Sequence, residues 1–170
     1  MGAKDQGADA TTGRWMVIPR TLCFVVSGQD VLLLKRAAHK RVFPNRYNGL
    51  GGHLERDEDP LAGAVREIEE ETGLPVGNVR LAGVIHVDAA APSGIVLFVV
   101  LAEALHREFR DTDEGTLEWV PLEQLATKDV VEDFPYLVPR LFGGAKQLPF
   151  AAHVRYDEQD RIIFRFYDET

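Results

Sequence analysis

The chain of 170 residues is short of cysteine and of positive charge, and each shortage excludes something. With Cys23 as the single cysteine no intrachain disulfide can form; its place in the apolar run Leu22-Cys23-Phe24-Val25-Val26 marks a buried core residue. Lysine and arginine number 19 against 27 acidic residues, a net charge of −8. That balance argues against broad binding to a nucleic-acid backbone or an anionic membrane, since both need a basic footprint. No stretch approaches the ~18 apolar residues of a membrane span, and the N-terminus lacks a signal-peptide apolar region. The expectation is a cytoplasmic protein with no membrane segment. The five histidines (39, 53, 86, 106 and 153) show no zinc-ligand spacing; only His53 draws interest, because it lies beside the motif described next.

What is abundant is acid, and between Gly52 and Leu74 it is spaced. Gly52 is followed by Glu58, and then by Arg66-Glu67-Ile68-Glu69-Glu70-Glu71-Thr72-Gly73-Leu74. A run of glutamates alone is usually a solvated helix face. Here seven positions fall at fixed offsets, a coincidence with odds of about 10⁻⁶ over a chain of this length. Asp59-Pro60 reads as a helix start, with Asp at the N-cap and Pro at the first helical position. Gly73, with Pro75 beyond it, reads as the stop, so the helix is expected over Pro60 to Thr72. At about 100° per residue, Glu67, Glu70 and Glu71 share one face, while Leu61, Val65 and Ile68 form a separate apolar stripe that anchors the helix. Three carboxylates within one turn repel one another, and a hard divalent cation with oxygen ligands, Mg²⁺ or Mn²⁺, removes that penalty. Mg²⁺ completes its shell with water and substrate phosphates, which points to a phosphate-bearing substrate. Arg66, in the same turn, is placed to orient one of the carboxylates.

The rest of the chain reads as one domain over residues 14–170, behind a Gly- and Ala-rich tail over 1–13 that is expected to be disordered. At 45% hydrophobic and 27% charged, the chain can bury an ordinary core. A hairpin is expected from about Pro19 to Arg36, turning at Gly28-Gln29-Asp30. Strands follow over Val79 to Val87, Ile95 to Ala104 and Thr116 to Val120, then a helical turn from Pro121 to Ala126. A second helix spans Phe134 to Phe142, tolerating Pro135 in its first turn, and a last hairpin pairs Ala152 to Tyr156 with Ile162 to Phe166. The basic stretch holding Lys35, Arg36, Lys40, Arg41 and Arg46 is either a solvated loop or a grip on distal phosphates.

The Gly52–Leu74 segment resembles the Nudix box, the signature of hydrolases that cleave a nucleoside diphosphate linked to another group, and every defined position is present. The resemblance implies an α/β fold, an α/β/α sandwich on a mixed β-sheet with a catalytic loop-helix-loop. It implies that Glu67, Glu70 and Glu71 bind the metal, joined by the Gly52 carbonyl, with Glu58 a further acid near it. In Nudix triphosphatases a glutamate in a loop before a Trp-containing strand helps bind metal or activate water; Glu114, ahead of Trp119, matches it. Tyr47-Asn48-Gly49-Leu50-Gly51-Gly52, Asp113 to Leu122, Val131 to Phe134 and the hairpin around Phe150-Ala151-Ala152-His153 are most similar to the MutT-type 8-oxo-dGTP diphosphatases. By that similarity Asn48 and Asp133 face the base; Lys35, from the basic stretch, and His53, beside the box, are further candidates for the substrate site. Val131 and Phe134 depart from the animal members, which have Trp and a second Asp there.

The expected activity is metal-dependent cleavage of purine nucleoside triphosphates, oxidised ones included, to monophosphate and pyrophosphate, as in sanitation of the nucleotide pool. Two other Nudix groups are weaker matches. ADP-ribose pyrophosphatases favour a proline shortly past the box, where Ala89 stands with Pro92 close by. Hydrolases of dinucleoside polyphosphates favour a tyrosine, and Ala89-Ala90-Ala91 offers none. A non-catalytic nucleotide-binding Nudix domain usually lacks one metal carboxylate, and here all three are present. The partner expected is the nucleotide itself, with the protein a monomer or a homodimer.

Overall fold

The computed structural model describes residues 2–110, 112–144 and 148–169. Eight strands form one mixed sheet: β1 (Met16–Ser27), β2 (Asp30–Arg36), β3 (Tyr47–Asn48), β4 (Val76–Asp88), β5 (Ser93–Ala104), β6 (Gly115–Pro121), β7 (Phe150–Tyr156) and β8 (Ile162–Phe166). Their order is β3-β2-β1-β5-β4-β7-β8, with β6 paired to β2. β1 with β5 and β4 with β7 run parallel, and the other named pairs are antiparallel. The expected hairpins, strands and turn are all present, each within a few residues of its expected bounds. β3 is the strand the sequence did not announce. A two-residue strand is too short for any alternation to register, and Arg46 and Tyr47 are placed by hydrogen bonds from distant segments.

Helix α1 (Pro60–Thr72) has its expected bounds for the expected reasons. The Asp59 carboxylate accepts from the N–H groups of Leu61 and Ala62 at 2.8 and 3.0 Å, and Gly73 closes the helix with φ 72° while its N–H donates to the Glu69 carbonyl. Helix α2 (Phe134–Phe142) lies on the opposite face. β1 shows how the sheet feeds both layers: Leu22 and Phe24 join the core under α2 with Leu137 and Leu141, whereas Cys23 and Val25 join Ala64 and Ile68 of α1. This is the α/β/α sandwich, and Cys23 is fully buried, with its thiol pushed up to about 12 chiefly by that burial.

The apolar stripe of α1 is rotated from its expected position. Gly63, Ala64, Ile68 and Thr72 are the buried residues, while Leu61 and Val65 lie at the margin and line an open hollow of about 810 Å³ with Arg66, Glu70, Val79 and Arg110. Ala64 and Ile68 join the core under the helix, whereas Gly63 leaves room for the Leu54 and Glu58 side chains. Thr72 meets its polar needs in place, donating to the Ile68 carbonyl at 2.5 Å and accepting from the Leu74 N–H. The described residues of the tail form a short 3-10 helix, Ala3–Gln6, and turns closed by the Ala10 N–H on the Gly7 carbonyl and the Arg14 N–H on the Thr11 carbonyl. Among the described residues no helix is long and apolar enough to cross a membrane.

Candidate active site

The chain from Tyr47 to Leu54 is threaded into the sheet before it reaches α1. Cys23 and Leu50 exchange both main-chain hydrogen bonds, the Thr21 N–H donates to the Gly52 carbonyl at 2.8 Å, and the Leu54 N–H donates to Pro19. This fixes Gly51 and Gly52 against the carboxylate face of α1. The Gly51 N–H donates to Glu71 Oε2 at 2.9 Å. At Gly52 the approach is so close that a Cβ would lie 2.6 Å from Glu67 Oε1, and only glycine leaves that space. The Gly52 carbonyl already accepts one hydrogen bond and keeps a second lone pair.

Arg66 organises more of the cluster than expected. Its Nε and Nη2 grip both oxygens of Glu58, at 2.9 and 2.6 Å, and Nη2 also donates to the His53 carbonyl at 3.0 Å. Its Nη1 bridges Glu67 and Glu70 at 3.0 and 3.1 Å. One guanidinium thus serves three carboxylates, where the sequence pointed to one. Glu58, held by Arg66 and by the Glu55 N–H, keeps its carboxyl down at about 2. The His53 side chain is exposed; only its backbone takes part.

Glu71 is the strained member. Burial pushes its carboxyl up to about 7; the Gly51 N–H pulls down, and the charges of Glu67 and Glu114 push up again. Glu114, in the loop before β6, has its Oε2 paired with Lys40 Nζ at 2.6 Å, and its charge still bears on Glu71. Among the described residues no three His, Cys, Asp or Glu side chains stand in a metal-holding arrangement; Arg66 Nη1 sits between Glu67 and Glu70. The chemistry of the donor set nevertheless fits a hard divalent cation. All its donors are oxygens, and the carboxylates of Glu58, Glu67, Glu70 and Glu71 outnumber the one guanidinium of Arg66.

The expected base-facing residues are brought near each other by an unforeseen strand contact. Tyr47 donates to the Asp129 carbonyl at 2.9 Å and accepts from the Val131 N–H at 3.0 Å, which sets the segment leading to Asp133 beside Asn48. Asn48 Oδ1 accepts from the Gly49 N–H at 2.8 Å, and Asp133 Oδ1 is buried without a partner. Burial pushes the Asp133 carboxyl up to about 6. Lys35 lies over the Tyr47 ring at 5.7 Å and lines a cavity of about 420 Å³ with Arg36, Asn45 and Thr116. Sequence reasoning missed the group behind it. The Tyr47 hydroxyl donates to Glu118 at 2.6 Å and Lys128 pairs with Glu118 at 2.5 Å, so the carboxylate is held low and the lysine is held charged. These three residues are too far apart in sequence for any motif to join them.

A family model described as the NUDIX domain matches residues 16–141. The oxidized purine nucleoside triphosphate hydrolase of Mus musculus is 31% identical over 145 residues, covering 84% of this chain and 89% of that protein. The diphosphoinositol polyphosphate phosphohydrolase 3-alpha of Mus musculus is 31% identical over 104 residues, 60% of this chain and 62% of that protein. Among solved structures, a MutT protein from Bacillus halodurans superposes with a TM-score of 0.75 at 24% identity, over 91% of this chain and all of that one, and shows the same fold. Nudix hydrolases as a group use divalent metal ions. With the box helix, its threaded glycine loop and a domain match over most of the chain all in agreement, the protein belongs to the Nudix family and is a Nudix hydrolase.

Proposed function

We propose that the chain hydrolyses purine nucleoside triphosphates, oxidised ones included, to monophosphate and pyrophosphate with Mg²⁺ or Mn²⁺. The observation that carries this reading is the carboxylate cluster packed on the Gly51-Gly52 loop; the pairing of Tyr47 with the segment from Asp129 to Val131, next to Asn48 and ahead of Asp133, supports it. The similarity to an oxidized purine nucleoside triphosphate hydrolase over most of both chains supports the choice of substrate.

Glu67, Glu70 and Glu71, with the Gly52 carbonyl and with Glu58 and Glu114 close by, are the groups that would hold the cation. When bound, it supplies charge neutralisation for the polyphosphate and lowers the pKa of a coordinated water. The chain's own residues do the rest. Arg66 fixes the directions of Glu58, Glu67 and Glu70. Lys35 and Lys40, with Arg36, add positive charge where the distal phosphates would lie. Asn48 offers both a donor and an acceptor to the base, and Asp133 a buried carboxylate.

Steady-state assays on dGTP, 8-oxo-dGTP, dATP, pyrimidine triphosphates, ADP-ribose and a diadenosine polyphosphate test the reading. Release of pyrophosphate from purine triphosphates, abolished by excess EDTA, is expected. Undiminished turnover in EDTA, or preference for ADP-ribose or the dinucleotide, refutes it.

A further inference from the structure

Among the described residues, buried side-chain nitrogen or oxygen atoms without a hydrogen-bond partner occur on three residues: Arg20, Asp133 and Arg140. Arg140 has its charge matched by Asp168 and Glu169, and its guanidinium lies over the Phe150 and Phe166 rings. That leaves Arg20 Nε and Asp133 Oδ1, one donor on a cation and one acceptor on an anion.

Both belong to the face of the sheet that α2 covers. Along β1 the residues pointing to that face are Phe24, Leu22 and, two before it, Arg20. Arg20 is in register with Leu97, Leu97 with Ile85 and Ile85 with Ala152, so the guanidinium is set at the end of an apolar row. On its other side the Arg20 backbone bridges His53, directly beside the entry to the box. Asp133 stands at the head of α2, whose first residue, Phe134, packs on Phe24 at 5.4 Å, and its charge acts on Tyr156 of β7. Buried polar groups that are left unpaired cost stability, and opposite charges free to meet would pair. Both lie on one face without meeting, and the segment that leads to Asp133 pairs with Tyr47, next to Asn48.

We infer that Arg20 is a specificity-determining residue, donating to O6 of a 6-oxopurine while Asp133 accepts from the N–H groups of the same ring. The inference rests on the reading of this site as a purine nucleotide site. Guanine presents O6 and N7 acceptors to an arginine, and the adjacent N1–H and exocyclic N2–H₂ suit a carboxylate. The 8-oxo form keeps O6, N1–H and the exocyclic amine. Adenine reverses both positions, turning its N6–H₂ donor towards the guanidinium and its N1 acceptor towards the carboxylate, so the same pair rejects it.

Calorimetric binding of dGMP and dAMP to the full chain, its R20M, R20A, R20K and D133N variants, together with kcat/KM on dGTP, dITP and dATP, tests this. R20M is expected to weaken dGMP by ~10-fold or more and to lower kcat/KM for dGTP and dITP alike, with dAMP and dATP nearly unchanged. Thermal stability of R20M should be equal or higher, because an unpaired buried donor has gone. D133N should hit dGMP harder than dAMP. Equal weakening of both nucleotides by R20M shows a role in shaping the strand or in phosphate binding, and overturns the inference. If R20M does not fold, R20A decides, and a wild-type guanine-to-adenine ratio in R20A overturns it, whereas R20K, which keeps a cationic donor, is expected to retain part of the preference. Wild-type protein that binds dGMP over dAMP but does not hydrolyse dGTP leaves the inference standing and removes the proposed reaction; protein that binds neither removes both.

Discussion

Replacing Gly52 by alanine separates the geometry of the site from the stability of the fold. A Cβ at that position would sit 2.6 Å from Glu67 Oε1 and 2.7 Å from Oε2, whereas an ordinary contact begins at 3.4 Å. The carboxylate must therefore retreat by about 0.8 Å, because the glycine backbone is held by the Thr21 hydrogen bond. A displacement near 1 Å of a group that positions reacting atoms costs on the order of 10²-fold in rate. Stability should change by less than about 1 kcal/mol, since the obstacle is the end of one flexible side chain. Gly51→Ala is the control. There φ is 123° and the Cβ would meet the Thr21 carbonyl oxygen, a backbone atom, at 2.5 Å, so a loss of folding stability of about 1–3 kcal/mol or more is expected. Urea melts in EDTA give the stabilities, and initial rates over a metal titration give kcat and the apparent metal affinity. A Gly52→Ala enzyme within about threefold of wild type in kcat, or one destabilised as much as Gly51→Ala, refutes the packing argument.

Three further outcomes are expected. Glu70→Gln removes one charge from the cluster while keeping its shape; kcat should fall at least ~10²-fold with folding retained, and an enzyme within about threefold of wild type shows that the ligand face is wrong. Asn48→Ala should raise KM for purine triphosphates about tenfold with a smaller effect on pyrimidines, and equal effects would mean that Asn48 only shapes the turn into the box. Asp133, ordinarily near 3.8 and pushed up to about 6 by burial, binds its proton more tightly folded than unfolded. Its contribution to stability is therefore fully present below about pH 3.8 and lost as pH rises through about 6, by roughly 1–3 kcal/mol. Asp133→Asn should flatten that slope in urea melts taken from pH 4 to 7, and an unchanged slope refutes the assignment.

The helix that carries the site was legible because everything defining it is local. Asp59 and Pro60 start it, Gly73 stops it, and the offsets among Glu67, Glu70 and Glu71 fix their shared face by helical geometry alone. What the sequence placed slightly wrong was the buried stripe. Counting apolar side chains chose Val65, but packing buries Ala64 in the core beneath the helix and Gly63 against the Leu54 and Glu58 side chains. Arg66 was legible as a partner of one carboxylate and not of three, because Glu58 reaches it only after the loop from Glu55 folds back, with the Glu55 N–H on Glu58 Oε1 at 2.7 Å.

The side of the site facing the base was hidden for a different reason. Tyr47 meets the 129–131 segment, Arg20 bridges His53, and Tyr47 joins Glu118 and Lys128, all pairings set by strand order rather than by spacing along the chain. Arg20 in particular reads as an ordinary charged residue near the start of a strand. Only the register, which sets it in the row of Leu97 and Ile85, shows a half-buried cation whose Nε is enclosed without a partner. A helix motif reports the chemistry a site performs, since that chemistry needs fixed local offsets between ligands. Selectivity draws single residues from separate strands, so it becomes visible when the sheet is assembled, and in this chain it is visible as two opposite charges on one face that do not pair.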